Sequence, residues 1–241
     1  MTLRIFPPII ILSLFVVRAI AQNAPDTLLH TNAAAMEVIN TYNKTIGDQS
    51  DIYNGPQYNL FPTAYRGSPY FLDTASLQPA NIRYNGNWYK EVPILYDAFS
   101  DLMISISHGV LYSVRPEKLS DVYVKGHHFI YLAESKDLKL TPGYYDQLYD
   151  GRSEVLVKRK RGVVKRTEQQ TIQVIYEIDD IIYIKKGADY LPVNNKQSVL
   201  NAFKNRANEL KEYMSVNKIS YKKDKEHSVA QLAAYYDQIT H

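Results

Sequence analysis

From Asn81 onward the chain alternates apolar and polar residues in short runs. They read "NIRYNGNWYKEVPILYDAFSDLMISISHGVLYSV", "DVYVKGHHFIYLA", "GYYDQLYDGRSEVLVKRKRGVVKR" and "TIQVIYEIDDIIYIKKGADYLPV". A period of two sends successive side chains to opposite faces, so these runs predict strands with one packed side. Asn85-Gly86, Phe99-Ser100 and His108-Gly109 part the segments. Asn-Gly is a hairpin signal because both central residues of a two-residue turn need positive φ. The expectation is roughly ten strands joined by turns of about two to five residues, an antiparallel meander without βαβ units.

Near Asn194 the period changes. "NNKQSVLNAFKNRANELKEYM" places Val199, Ala202, Phe203, Ala207, Leu210, Tyr213 and Met214 on one helical face. "KEHSVAQLAAYYDQI" does the same with Val229, Leu232, Ala233 and Tyr236. Two C-terminal amphipathic helices of this kind can cover a sheet face or plug an open barrel end. Ahead of the strands, Met36, Ile39 and Tyr42 predict a short N-terminal helix over Ala33–Lys44, with Asn32 as its cap. The stretch "SDIYNGPQYNLFPTAYRGSPYF" reads as turns and short edge strands. The predicted fold is α+β, an antiparallel sheet, open or half-barrel, with helices toward both ends. It occupies residues 22–241 as a single domain, strand-rich over 81–193 and helical over 195–240.

Residues 1–21 bear on where this fold works. Arg4 precedes an uncharged, mostly apolar run from Ile5 to Val17, and Ala19-Ile20-Ala21 supplies small residues where a signal peptidase reads. This pattern predicts a secretory signal cleaved after Ala21. A membrane anchor needs about 20 apolar residues, and Pro7-Pro8 and Arg18 interrupt or bound the run. The chain has no cysteine, which excludes a lipoprotein signal, disulfides and Cys-ligated metal. Exported domains of eukaryotes lean on disulfides, so a cysteine-free exported chain fits a bacterial envelope, periplasmic or secreted.

Two of the 28 basic residues, Arg4 and Arg18, lie in the leader, so the remainder carries 26 basic against 25 acidic groups. Residues 22–150 hold 9 basic and 14 acidic residues, whereas 151–241 hold 17 and 11. The basic half includes "SEVLVKRKRGVVKR", Ser153 to Arg166. Its four-residue block Lys158, Arg159, Lys160 and Arg161 cannot face one way on a strand. The expectation is an exposed hairpin tip turning at Gly162, where lysines and arginines also discourage edge-to-edge pairing. Contact with an acidic partner or with lipid head groups is the alternative, and it allows peripheral membrane contact. Nucleic-acid binding is disfavoured, because stacking aromatics are absent from this run. A solvated tip also predicts that replacing the block with Ser leaves thermal stability nearly unchanged.

Candidate chemistry is sparse. No GxSxG, HExxH, P-loop, GxGxxG or EF-hand pattern occurs. His127 and His128 are adjacent and would diverge on a strand, so a shared metal is not expected, and no cofactor is implied. Carboxylate pairs are the remaining route to catalysis, and Asp97 and Asp101, straddling a turn, are the best placed. Their ordinary role is to cap turns through their own side chains. Tyrosine is abundant, 21 against 7 Phe and 1 Trp. Tyr84, Trp88 and Tyr89 could form a contact surface for a glycan or partner, although tyrosine also simply suits strands with one wet face.

The segments "YNGNWYKEVPILYD" and "PGYYDQLYDG" with its following basic strand, and the ending from "YLPVNNKQSVL" to "AAYYDQ", resemble a group of uncharacterised exported proteins of the Bacteroidota. The resemblance spans most of the chain after residue 21. It implies a cell-envelope location and no established activity, so no catalytic residue is carried over.

Three functional classes follow. An envelope protein that binds another protein or an outer-membrane component without catalysis is favoured by the missing motifs and the Tyr-rich sheet. The second is a periplasmic carrier of a lipid, glycan or other small ligand, which requires an apolar cavity larger than the helices fill. The third is a glycan-directed hydrolase without a recognised motif, which requires convergent polar groups in a pocket.

Overall fold

The computed structural model describes residues 51–61, 65–135, 137, 139–168 and 171–240. The expected leader and the helix over Ala33–Lys44 lie outside the described residues. Within them the architecture is α+β, one large antiparallel sheet with helices near the C-terminus.

Strands β1 (Gln78–Tyr84), β2 (Asn87–Asp97), β3 (Leu102–Ser107) and β4 (Val110–Ser113) run as consecutive hairpins. Strand β5 (Leu119–Val124) returns to the other side of β1, and β6 (His127–Leu132), β7 (Gly143–Tyr149) and β8 (Val155–Lys158) continue outward from it. The chain then leaves the sheet as a separate two-stranded ribbon, β9 (Arg161–Glu168) with β10 (Thr171–Ile178). It re-enters beside β8 as β11 (Ile181–Lys186) and closes with β12 (Asp189–Val193). The order is β12-β11-β8-β7-β6-β5-β1-β2-β3-β4, so β12 and β4 are distinct edges and the ten-stranded sheet is open.

Turn chemistry follows the sequence. Asn85 and Gly86 take φ of 50° and 81°, and His108 and Gly109 take 48° and 75°, the paired positive values of a two-residue hairpin turn. In β2, Glu91 at φ 55° forms an irregularity opposite β1, and its N–H donates to the Asn81 side chain at 3.3 Å. Such a bulge lets one long strand bend between neighbours.

One cross-strand row positions everything that follows. It runs Ile82, Val122, Phe129, Asp146, Val157, Ile182 and Val193 from β1 to β12. Toward β1 this face packs Tyr84, Ile94, Tyr96, Met103 and Tyr144 beneath Ile52 and Phe71. Toward β12 it packs Val155, Val157, Ile182 and Ile184 beneath the helices. Asp146 stands where the two cores meet.

The first predicted C-terminal helix is two. Helix α1 (Lys196–Ala202) ends at Phe203, a 3-10 turn spans Lys204–Arg206, and α2 (Ala207–Val216) follows. The break seats Phe203, fully buried, in a stack on Tyr236 with ring centroids 4.4 Å apart. A continuous helix would hold both halves of the apolar stripe on one line, whereas the break lets α1 pack on β12 and β11 and α2 on the final helix. That helix, α3 (Lys225–Ile239), is capped by Asp224, which accepts from the His227 N–H at 3.0 Å.

Candidate functional site

The basic block is not a solvated hairpin tip. β8 and β9 do not pair, Gly162 lies inside β9 rather than at a turn, and Arg159 and Arg161 are each only 4% exposed. Arg159 follows β8 directly and reaches back into the seam between the two cores. Its Nε donates to Asp146 at 3.0 Å, and Nη2 donates to the same carboxylate. Nη1 donates to Asp180 in the β10–β11 turn at 3.1 Å and to Glu226 in the first turn of α3 at 2.5 Å. The Phe71 ring lies against the guanidinium, 5.1 Å from its carbon. One side chain thereby ties a strand, a turn, a helix and the segment leading into β1.

Arg161 repeats the device one step on. It donates to Asp180 at 3.2 Å and to the Phe71 carbonyl at 3.0 Å, and its Nη2 lies 3.7 Å from Asp73. Lys158 alternates to the other side of β8, where it donates to Asp101 at 2.6 Å and lies over the Tyr145 ring. Of the four basic residues, Lys160 alone is exposed, 3.4 Å from Asp179. The physical reason is stoichiometric: buried guanidinium persists only when carboxylates and carbonyls satisfy it, and the fold brings those acceptors from 13, 21 and 67 residues away. Burial on its own would lower the Arg159 pKa, but the Glu226 hydrogen bond and the Asp146 charge outweigh it and hold the group above its ordinary value.

Asp146 also pairs with His127, whose Nδ1 lies 2.7 Å from Oδ2. The His127 ring meets Phe71 edge-on with centroids 4.8 Å apart. His128, one residue on, points to the opposite face, where it pairs with Asp121 at 3.0 Å and stacks on Tyr123. An oriented histidine acts as a general base only with a substrate group or hydroxyl within reach. Among the described residues, Asp146 is the hydrogen-bond partner of His127 and no hydroxyl joins it. Nor, among them, do three His, Asp or Glu side chains converge as a metal cluster.

The carboxylates singled out from the sequence are engaged in holding the backbone. Asp97 is fully buried and accepts from the N–H groups of Phe99 and Ser100 at 2.9 and 3.0 Å, the turn-capping role open to any such Asp. Its other oxygen accepts from the Tyr58 hydroxyl at 3.0 Å. Asp101, at φ 58°, accepts from Tyr96 Oη at 2.7 Å, from Lys158 Nζ and from the Tyr144 N–H. Burial, then the Asp101 charge, raises the hydroxyl pKa of both Tyr96 and Tyr144 well above the ordinary value.

The aromatic trio does not form one surface. Tyr84 is fully buried and donates to the Asp51 carbonyl at 3.0 Å, which removes it as a contact residue. Tyr89, opposite Ile82, packs on the same core, while Trp88, opposite Arg83, faces the other way. Alternation dictates this separation. Trp88 instead leans on Tyr123 at 5.8 Å, and Tyr123 lies parallel to His128 at 4.1 Å, so these rings spend faces on one another.

The β9–β10 ribbon, which local alternation alone would merge into the main sheet, presents apolar side chains to solvent. Directly opposite pairs share a face. Tyr176 opposes Val163, Ile172 opposes Thr167 and Ile178 opposes Arg161, which puts Val163, Ile172, Tyr176 and Ile178 on one side. Ile172 and Ile178 are 68% and 65% exposed. Phe61, Tyr65 and Phe99 gather around Tyr176 with centroids 5.5 to 6.1 Å from it. Arg66 bridges to the outer side of β10, its N–H donating to the Val174 carbonyl and its carbonyl accepting from Tyr176. Beyond Arg161, whose N–H bonds the Ala98 carbonyl, no described residue pairs with the outer edge of β9.

Alternating isoleucine and valine signal strands in this stretch, but not which strands leave the sheet. Asp146 carried a better signal, since alternation in "GYYDQLY" places it on the packed face with Tyr144. Compared with known protein families, with curated proteins and with solved structures, the chain matches none.

Proposed function

We propose that this protein is a non-enzymatic binding or assembly component of the cell envelope, exported by its leader, and that it takes hold of a partner protein through the β9–β10 ribbon. The observation that carries this reading is the ribbon itself, a two-stranded arm with Ile172 and Ile178 in solvent and an outer edge that, beyond Arg161, no described residue pairs with. Exposed apolar side chains beside an unpaired edge are a liability that soluble proteins blunt, and their retention marks a contact surface. An extended partner segment adding to β9 would satisfy the open backbone groups while its side chains cover the isoleucines. Lys165, exposed on β9 opposite Val174 and so on the face of the isoleucines, would favour an acidic segment.

The engagement of Asp97, Asp101 and Asp146 supports binding over hydrolysis, since each is held by backbone donors or cations. The test is a photoreactive residue at Ile172 in cells that make the protein, with one at Leu191 on β12 as control. A discrete protein adduct at Ile172, lost in the I178D background, is the expected result. Equal labelling at both positions, or an adduct indifferent to I178D, would sink the reading. Melting of the I178D protein should match the parent within a degree or two, because the side chain is already in solvent.

A further inference from the structure

A second feature, distinct from the ribbon, is an open groove of about 700 Å³ between the start of α1, the end of α2 and the turn leading into α3. Its floor is apolar, made by Met214, Ile219 and the Tyr221 ring, all at the margin of the helix-covered core. Its rim carries Lys196 and Lys222. Both lysines are exposed, and neither pairs with a carboxylate among the described residues. Lys218, Lys223 and Lys225 stand in the same stretch of chain, also exposed. The size falls within the roughly 300–1,000 Å³ of small-ligand sites, which combine an apolar lining with a few polar groups that fix orientation.

Charge and shape together select the occupant. A neutral apolar ligand would leave the two ammonium groups unused, and a small inorganic anion would leave the apolar floor in water. A single-chain acid satisfies both, with its alkyl chain on Met214 and Ile219 and its carboxylate between the lysines. Charge-assisted hydrogen bonds from lysine to a carboxylate are about twice as strong as neutral ones, and the surrounding lysines add long-range attraction for an anion. We infer that this groove binds a free anionic amphiphile of the fatty-acid type.

Dodecanoate below its micelle concentration is the probe, titrated calorimetrically into the protein at low salt. Saturable binding at one site is expected, with dodecanol binding at least about tenfold more weakly for want of the charge. The K196Q/K222Q variant should lose about tenfold toward dodecanoate and nothing toward dodecanol. Both lysines are solvent-exposed, so this variant folds as the parent does. I219N, which places a polar group on the floor, should weaken both ligands.

Absence of saturable dodecanoate binding would overturn the inference, as would equal binding by parent and K196Q/K222Q. Adsorption to phosphatidylglycerol vesicles without any response to dodecanoate would also overturn it and assign the lysines to a membrane surface.

Discussion

Replacing Arg159 with Met tests the charged seam where the two cores meet. The substitution keeps the stem and removes the guanidinium. Asp146, with its side chain 1% exposed, is then left in an apolar row with His127 as its remaining partner. Glu226 and Asp180 lose the same cation, so α3 and the β10–β11 turn lose their charged link to Asp146 on β7. Breaking a buried pair from one side costs about 3–5 kcal/mol, because the surviving charge is stranded away from water. With a urea slope of about 2 kcal/mol/M, the unfolding midpoint should fall by roughly 2 M. D146N alone should cost less, since Arg159 keeps Glu226 and Asp180, and D146N/R159M should fall short of the sum of its parents by about 1–3 kcal/mol. K160M is the internal control, because Lys160 is 53% exposed and should change stability by less than about 0.5 kcal/mol. An R159M midpoint equal to that of K160M would refute the seam and restore the solvated tip.

Two further outcomes rest on other parts of the fold. The Tyr96 and Tyr144 hydroxyls have folded pKa values raised by burial and by Asp101. Their contribution to stability is therefore complete below the ordinary tyrosine value of about 10 and is lost as pH climbs above it. An alkaline titration followed by tyrosinate absorbance should show a late fraction that ionises together with loss of circular dichroism, and complete ionisation in a still-folded protein would contradict the burial. Gly143 sits at φ 138°, where an added Cβ would collide with Asp101 Oδ2 and Lys158 Nζ, so G143A should push that carboxylate off Lys158 and cost about 2 kcal/mol or more. G86A, where φ is 81° and nothing lies within 4 Å, should cost about 1 kcal/mol, and equal melting points for the two variants would contradict the crowding.

Local pattern along the chain was enough to announce the individual elements. Period-two alternation announced the strands, Asn85-Gly86 and His108-Gly109 announced hairpins, and the change of period near Asn194 announced helices. It also determined that His127 and His128 diverge, whereas Tyr84 and Trp88, grouped as one surface from their closeness in the chain, lie on opposite faces of the β1–β2 hairpin. These are nearest-neighbour consequences of backbone geometry and need no knowledge of the rest of the chain. Tertiary structure decided the rest. Lys158 to Arg161 looked like a wet tip because a charge's burial depends on acceptors that sequence spacing does not bring near, and Asp146, Asp180 and Glu226 arrive from three other elements. The departure of β9 and β10 into a ribbon was equally hidden, since their alternation is that of any strand. Which edge a strand pairs with is settled by long-range packing, and an alternating run carries the same local pattern whether it joins the sheet or leaves it.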